Sequence, residues 1–299
     1  MRTLMKIGIY VDAENVRLNG GYSMRYDVLR EFARRTGGDV LRMNTYMAYD
    51  EERAREDQHY RNKQSDYQQA LRNNGWKVIT KKVKRYTDEE GNVSVKANAD
   101  LDLAVDILRQ GEHLDYILLV TGDGDFSRVV SALQDYGCRV EILAFKNISN
   151  QLRQQADSYH NGYLIPNLLP MTDARSGNNQ WGKTNHKVRG IASKWIDDKA
   201  FGFLLYLVPN GGDLLNTNYN DEASPYRSAF VHLNELTEGT YANMMSNRDN
   251  IFEFTLSEKT QDGEKKGYAA DVTIVAGPGA PTTEYSGNGT AKQKTVSYK

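Results

Sequence analysis

The 299 residues are enough for two domains with cores of their own, and a formal net charge of −1 with 26% charged residues gives no global basic bias toward nucleic acid. A single cysteine, Cys138, excludes a disulfide framework and fits a reducing, cytoplasmic setting, while five histidines at no ligand spacing with it argue against zinc. The opening MRTLMKIGIYVDAENV has no signal-peptide pattern and no apolar run reaches membrane-span length, so no membrane partner is expected.

The first predicted element is a strand, KIGIYVDAENV, apolar until it meets Asp12, with Asn15 three residues on. Asn15 could bond the Asp12 carboxylate or cap the next helix. Residues 26–34 read as a helix with Val28, Leu29 and Phe32 on one face, closed by Gly37-Gly38. Residues 40–47 alternate as a strand, and 51–73 read as one polar, charge-laced helix. WKVITKKVKRY, 76–86, is a strand with Lys81, Lys82, Lys84 and Arg85 at its outgoing end. So small a cluster is ordinarily a solvated face; at a strand end, phosphate is the alternative partner. After a polar turn at 87–92, KANADLDLAVDIL (96–108) reads as a helix. Leu101, Val105 and Leu108 are its expected core stripe, Asp102 and Asp106 stack on an adjacent face, and Asp100 stands at the entrance, where capping is the plain reading.

The stretch around which the rest is organised is YILLVTGDGDF, 116–126. Tyr116 to Val120 read as a strand buried on both faces, and the run stops at Thr121-Gly122, followed by Asp123 and Asp125 around Gly124. One Asp suffices to cap the helix that follows, so the second calls for another role; crowded carboxylates are most often compensated by a divalent cation. Gly124 suits a backbone approached closely by a ligand. A strand at 139–145 and a closing helix at 148–159 follow; if strands one and four are neighbours at a switch point, as in a 3-2-1-4-5 sheet, Asp12 and Asp123 converge.

VDAEN, then K-x-x-x-D-x-x-x-x-x-D from Lys96 to Asp106, then TGDGDF, resembles the NYN domain, a branch of the PIN-like nuclease fold that includes the LabA-type proteins. The resemblance covers about 5–166 and implies a Rossmann-like parallel sheet flanked by helices. It implies that Asp12, Asp100, Asp123 and Asp125 form a metal site for Mg²⁺ or Mn²⁺, with Asp106 a further catalytic member and Asn15 a supporting one. The family often has Gly before the first helical acid, where this chain has Asn98-Ala99, and Asp102 is an extra acid outside the pattern.

After Pro166 the composition turns polar, and 171–187 reads as a linker. Beyond it, Lys194-Trp195, Lys199 to Leu204 and Phe230 to Leu233 put aromatics at alternating strand positions, which fill a small barrel core or stack on unpaired bases. They resemble the two nucleic-acid-binding strands of a cold-shock domain, a five-stranded OB barrel, with 249–257 and 267–275 as its last strands. Departures are Ile196, Ala200, Leu233 and a long insertion at about 205–227. The resemblance implies that Lys194, Trp195, Lys199, Phe201, Phe203, Phe230 and His232 meet nucleic acid on one face.

The expected organisation is an NYN domain at 1–168, a linker at 169–187, a cold-shock-like OB-fold barrel at 188–276 and a disordered tail at 277–299. The expected function is a metal-dependent endoribonuclease acting on single-stranded RNA, with DNA also open and a homodimer compatible. The rival is a non-catalytic RNA-binding regulator with a vestigial acidic site. A Toprim or haloacid-type phosphatase site does not fit Asp12 followed by Ala13-Glu14.

Overall fold

The computed structural model describes residues 4–87, 93–96, 99–172, 179–209, 213–261, 264–280, 283–285 and 291–293, with no side chains described in 84–98, 259–265 or beyond 280. The chain divides into two compact units, Met1–Gly162 and Tyr163–Lys299. Among the described residues no helix is long and apolar enough to cross a membrane.

In the first unit, β1 (Lys6–Asp12), β2 (Asp39–Tyr49), β3 (Lys77–Lys82), β6 (Tyr116–Val120), β7 (Arg139–Ala144) and β8 (Ser158–Asn161) form one parallel sheet in the order β3-β2-β1-β6-β7-β8. The short strands β4 (Lys84–Thr87) and β5 (Val93–Lys96) pair separately as an antiparallel hairpin, where a single long strand was expected. Seven helices are described: α1 (Ala13–Leu18), α2 (Tyr26–Arg34), α3 (Glu51–Glu56), α4 (Gln58–Asn73), α5 (Ala99–Gly111), α6 (Ser127–Asp135) and α7 (Asn150–Gln155). Every residue of β6 is buried, as an interior strand of a parallel sheet requires.

Three expectations for the helices change. The helix expected over 51–73 is broken at Asp57, whose extended backbone ends α3 and whose carboxylate caps α4 by accepting Tyr60 N–H. The helix expected over 148–159 stops at Gln155; Asp157 then bonds Val140 through both its backbone N–H and its carboxylate, fastening the chain beside β7 as the sixth strand. In α5 the buried stripe is Ala99, Leu103, Ile107 and Gly111, while Leu101 and Val105 are 58% and 46% exposed. The face turned to the sheet must also offer acceptors to two buried tyrosine hydroxyls, and Asp106 and Gln110 lie on the Leu103 side.

The second unit is a closed barrel, β10-β11-β13-β12-β9, built from β9 (Lys187–Ile196), β10 (Phe201–Leu207), β11 (Tyr226–His232), β12 (Ile251–Gln261) and β13 (Glu264–Ala276), an OB-type architecture. Its core holds Val188, Leu204, Ala229, Val231, Phe252 and Phe254. Trp181, inside the stretch read as linker, belongs to that core, and its indole N–H donates to Leu207 C=O at 2.6 Å. Upstream of it, Leu168 and Leu169 are buried, and Thr172 donates to the Glu253 carboxylate that pairs with Arg189. The start of the expected tail is also anchored, since Gly279 N–H donates to Asn250 at 2.9 Å. Most of 281–299 lies outside the described residues.

Candidate active site and nucleic-acid interface

Registers align the ends of the central strands: Asp12 pairs with Tyr46 on one side, and Val11 with Val120 on the other. Asp12 is 4% exposed. Its Oδ1 accepts Asn15 N–H at 3.0 Å, capping α1, and its Oδ2 accepts the Thr121 hydroxyl at 3.1 Å. Burial pushes this carboxyl up to about 6, against the Asn15 and Thr121 bonds and with the charges of Asp100 and Asp123 adding to the rise. The Asn15 side chain is spent elsewhere: its Oδ1 accepts Gly122 N–H at 2.9 Å, bridging the two strand ends.

Asp123 accepts Asp125 N–H at 3.0 Å and so shapes the turn into α6. A Cβ on Gly124 would meet Ser149 Oγ at 2.6 Å, so this glycine answers to the loop after β7. Asp100, exposed in the first turn of α5, is raised by burial of its carboxyl and by the charges of Asp123 and Asp125. Asp12, Asp100, Asp123 and Asp125 therefore share one electrostatic neighbourhood.

Two positions apart on a helix point to nearly opposite sides, and this separates the other acids. Asp102 pairs with Lys81 at 2.9 Å, away from the strand-end group. Asp106 accepts the Tyr46 hydroxyl at 2.9 Å, and Tyr46 in turn accepts from Asn44 at 3.1 Å. Of the expected phosphate-binding cations, Lys81 is thus held by Asp102, and Lys82 pairs with Glu51 at 2.8 Å. The side chains of Lys84 and Arg85 lie outside the described residues.

Carboxylate oxygens are hard donors that suit Mg²⁺ or Mn²⁺. Among the described residues, no three His, Cys, Asp or Glu side chains stand close enough to form a ready cation cage. Asp12, Asp100, Asp123 and Asp125 offer only such oxygens, and Mg²⁺ usually keeps several of its own waters beside them.

The NYN domain family matches residues 6–166, more than half of the chain. The chain belongs to the NYN family. The NYN unit is 29% identical over 161 residues to the Low amplitude and bright protein LabA of Synechococcus elongatus, across 52% of this chain and 82% of that one. A crystal structure of a protein of unknown function from Vibrio parahaemolyticus aligns at 24% identity with a TM-score of 0.44, covering 53% of this chain and 93% of that one.

Outside the NYN unit, the barrel sorts its aromatics by strand parity. On β10, Gly202 and Leu204 are buried, and Phe201 and Phe203 point outward. On β11, Ala229 and Val231 are buried, and Phe230 and His232 are on the outer face. Phe201, Phe203 and Phe230 form a mutual cluster with centroids 5.3–6.1 Å apart. Lys194 is exposed and paired with Phe203; Lys199 is exposed in the turn between β9 and β10. His232 Nδ1 accepts Asn234 N–H at 3.2 Å, which fixes its ring.

Trp195 departs from the expectation that it shares this face. It stands opposite Gly202, where a Cβ would come within 2.7 Å of its ring, and it packs against the barrel core. Parity decides it, since an odd-even slip of one residue moves a side chain to the other face. The reading also missed Tyr268 on β13, whose ring lies 5.3 Å from Phe230. No alternation of aromatics marks Tyr268 in GYAADVTIV, because its partners are on other strands.

Proposed function

We propose that the protein is a metal-dependent endoribonuclease whose NYN unit cleaves single-stranded RNA and whose barrel binds it. The observation that carries this is the grouping of Asp12, Asp123 and Asp125, at the carboxyl ends of β1 and β6, with Asp100 in the first turn of α5, where neighbouring acids add to the rise of Asp12 and Asp100. Buried or crowded carboxylates left without cationic compensation are poised for a divalent ion. Asp12, Asp100, Asp123 and Asp125 would hold Mg²⁺ or Mn²⁺, which when bound activates water and neutralises charge developing on the phosphate. The chain's own part is positional. Thr121 and Asn15 N–H fix the Asp12 carboxylate, Asp123 and Gly124 set the turn, and Asn15 ties that turn to β1.

The barrel's outward Phe201, Phe203 and Phe230 beside Lys194 and Lys199 support base stacking with phosphate contact, in the manner of a cold-shock domain; single-stranded DNA would use the same surface. A second reading, RNA binding without cleavage, is favoured by the want of a ready three-ligand cage among the described residues.

Incubation of the full chain with single-stranded RNA and DNA, in Mg²⁺, Mn²⁺ or chelator, separates the two. Cleavage is expected only with a divalent ion, and Asp123→Asn is expected to reduce it to background while leaving RNA affinity unchanged. Cleavage that persists in chelator, or in Asp123→Asn, overturns the metal-nuclease reading; binding with no cleavage in any ion establishes the second.

A further inference from the structure

The barrel's strand registers place four residues in one line. Lys194 on β9 pairs with Phe203 on β10, Phe203 pairs with Phe230 on β11, and Phe230 pairs with Tyr268 on β13. Residues directly opposite one another on neighbouring strands point to the same side of the sheet. The line therefore runs across the strands on the outer face as one cation followed by three rings. Ala269, the next residue along β13, is buried, which fixes Tyr268 on the outer side by the same alternation.

Ring geometry agrees with the register. Phe203 and Phe230 have centroids 5.9 Å apart and Phe230 and Tyr268 5.3 Å apart, and all three rings are half-buried. Three steps between strands at ~4.8 Å make a track of about 14 Å. That is room for roughly three unpaired bases, each meeting a ring, with Lys194 at one end for a phosphate.

We propose that Tyr268 is the far end of this track, so that a single strand of nucleic acid crosses β9, β10, β11 and β13 in that order. The proposal rests on the barrel binding unpaired nucleic acid and adds its path and its last contact. Tyrosine is suited to such an end, since its ring offers a stacking face at low entropy cost.

The test uses the full chain in chelator and a fluorescein-labelled octauridylate, read by anisotropy. Tyr268→Ala is expected to weaken binding about tenfold with an unchanged melting temperature, and Tyr268→Phe to keep most of the affinity. If Tyr268→Ala binds as the parent does while Phe203→Ala is weakened, the track ends at Phe230 and the proposal falls with the barrel reading intact. If neither is weakened, the barrel reading falls too. Should Tyr268→Ala melt early, the parent answers instead: ultraviolet cross-linking of 4-thiouridine RNA is expected to modify the peptide containing Tyr268. Cross-links confined to β9, β10 and β11 overturn the proposal.

Discussion

Asp12 closes β1 and Glu141 lies in β7, level with Ile9 at the middle of β1; they are 4% and 3% exposed in the same sheet. Glu141 is surrounded by donors. Arg35 pairs with it, Tyr116 and His160 approach at 2.8 Å, and Arg139 bonds its other oxygen at 2.9 Å. Burial alone would raise the Glu141 carboxyl, but His160, Arg35 and Tyr116 together hold it well below the usual carboxylate range. Asp12 has two neutral donors and two like charges for company, and its carboxyl rises. Equal burial thus leads to opposite outcomes, and the number of cations supplied locally is what differs. Around Glu141 the chain supplies the compensation itself, whereas the donors bonded to Asp12 are neutral.

Substitution at each acid should sharpen this contrast. Glu141→Gln removes the carboxylate that, among the described residues, pairs with Arg35, whose side chain is 16% exposed, and leaves a largely buried cation without it. It should cost about 3–5 kcal/mol in denaturant unfolding, with cleavage per folded molecule unchanged. The same acid sets the acid limb of stability. Because the folded carboxyl lies below its unfolded value, its contribution is complete above about pH 4.5 and is lost as pH falls, when only the unfolded chain takes up the proton. Melting temperature against pH should therefore drop more steeply below that point in the parent than in Glu141→Gln.

Asp12→Asn should act with the opposite sign. Removing a charge held against desolvation and two neighbouring carboxylates should stabilise the fold by about 1–3 kcal/mol at neutral pH while abolishing cleavage. Asp12→Asn as destabilising as Glu141→Gln would break the comparison. The smallest effect is the ion itself: at roughly tenfold excess over its dissociation constant, Mg²⁺ or Mn²⁺ should add about 1.4 kcal/mol to the parent, reversed by chelator. A gain of the same size in Asp12→Asn would place the ion elsewhere.

Much of the NYN architecture was legible because its signals are local. The run from Tyr116 to Val120 can only be buried on both faces, and Asp12 after Val11 and the acids after Val120 sit at strand ends whatever the strand order. What failed depends on partners distant in sequence. The α5 wheel offers two apolar stripes, and the choice of Leu103 over Leu101 is made by hydroxyls on Tyr10 and Tyr46. The Glu141 cluster joins Arg35, Tyr116, Arg139 and His160, up to 125 positions apart in one bond, with no motif to announce it. Trp195 and Tyr268 were misplaced or missed because strand parity across a barrel follows from register, and register is invisible until the strands are paired. The lysines at the end of β3 look free in sequence because Asp102 and Glu51, their partners, lie on separate helices.

The Arg189–Glu253 pair, facing across β9 and β12, bears on where the molecule can be divided. Both side chains are nearly sealed, at 4% and 1% exposure, and the seal comes from upstream: Pro170 C=O takes an Arg189 N–H at 2.6 Å, Thr172 donates to Glu253, and the Tyr163 ring lies 5.7 Å from the guanidinium. The barrel's autonomy therefore begins before its first strand. A piece excised at Lys187 would uncover that ion pair and lose the Trp181 indole from the core, whereas one excised at Tyr163 carries its own lid. The separable module is the strands together with the segment that precedes them.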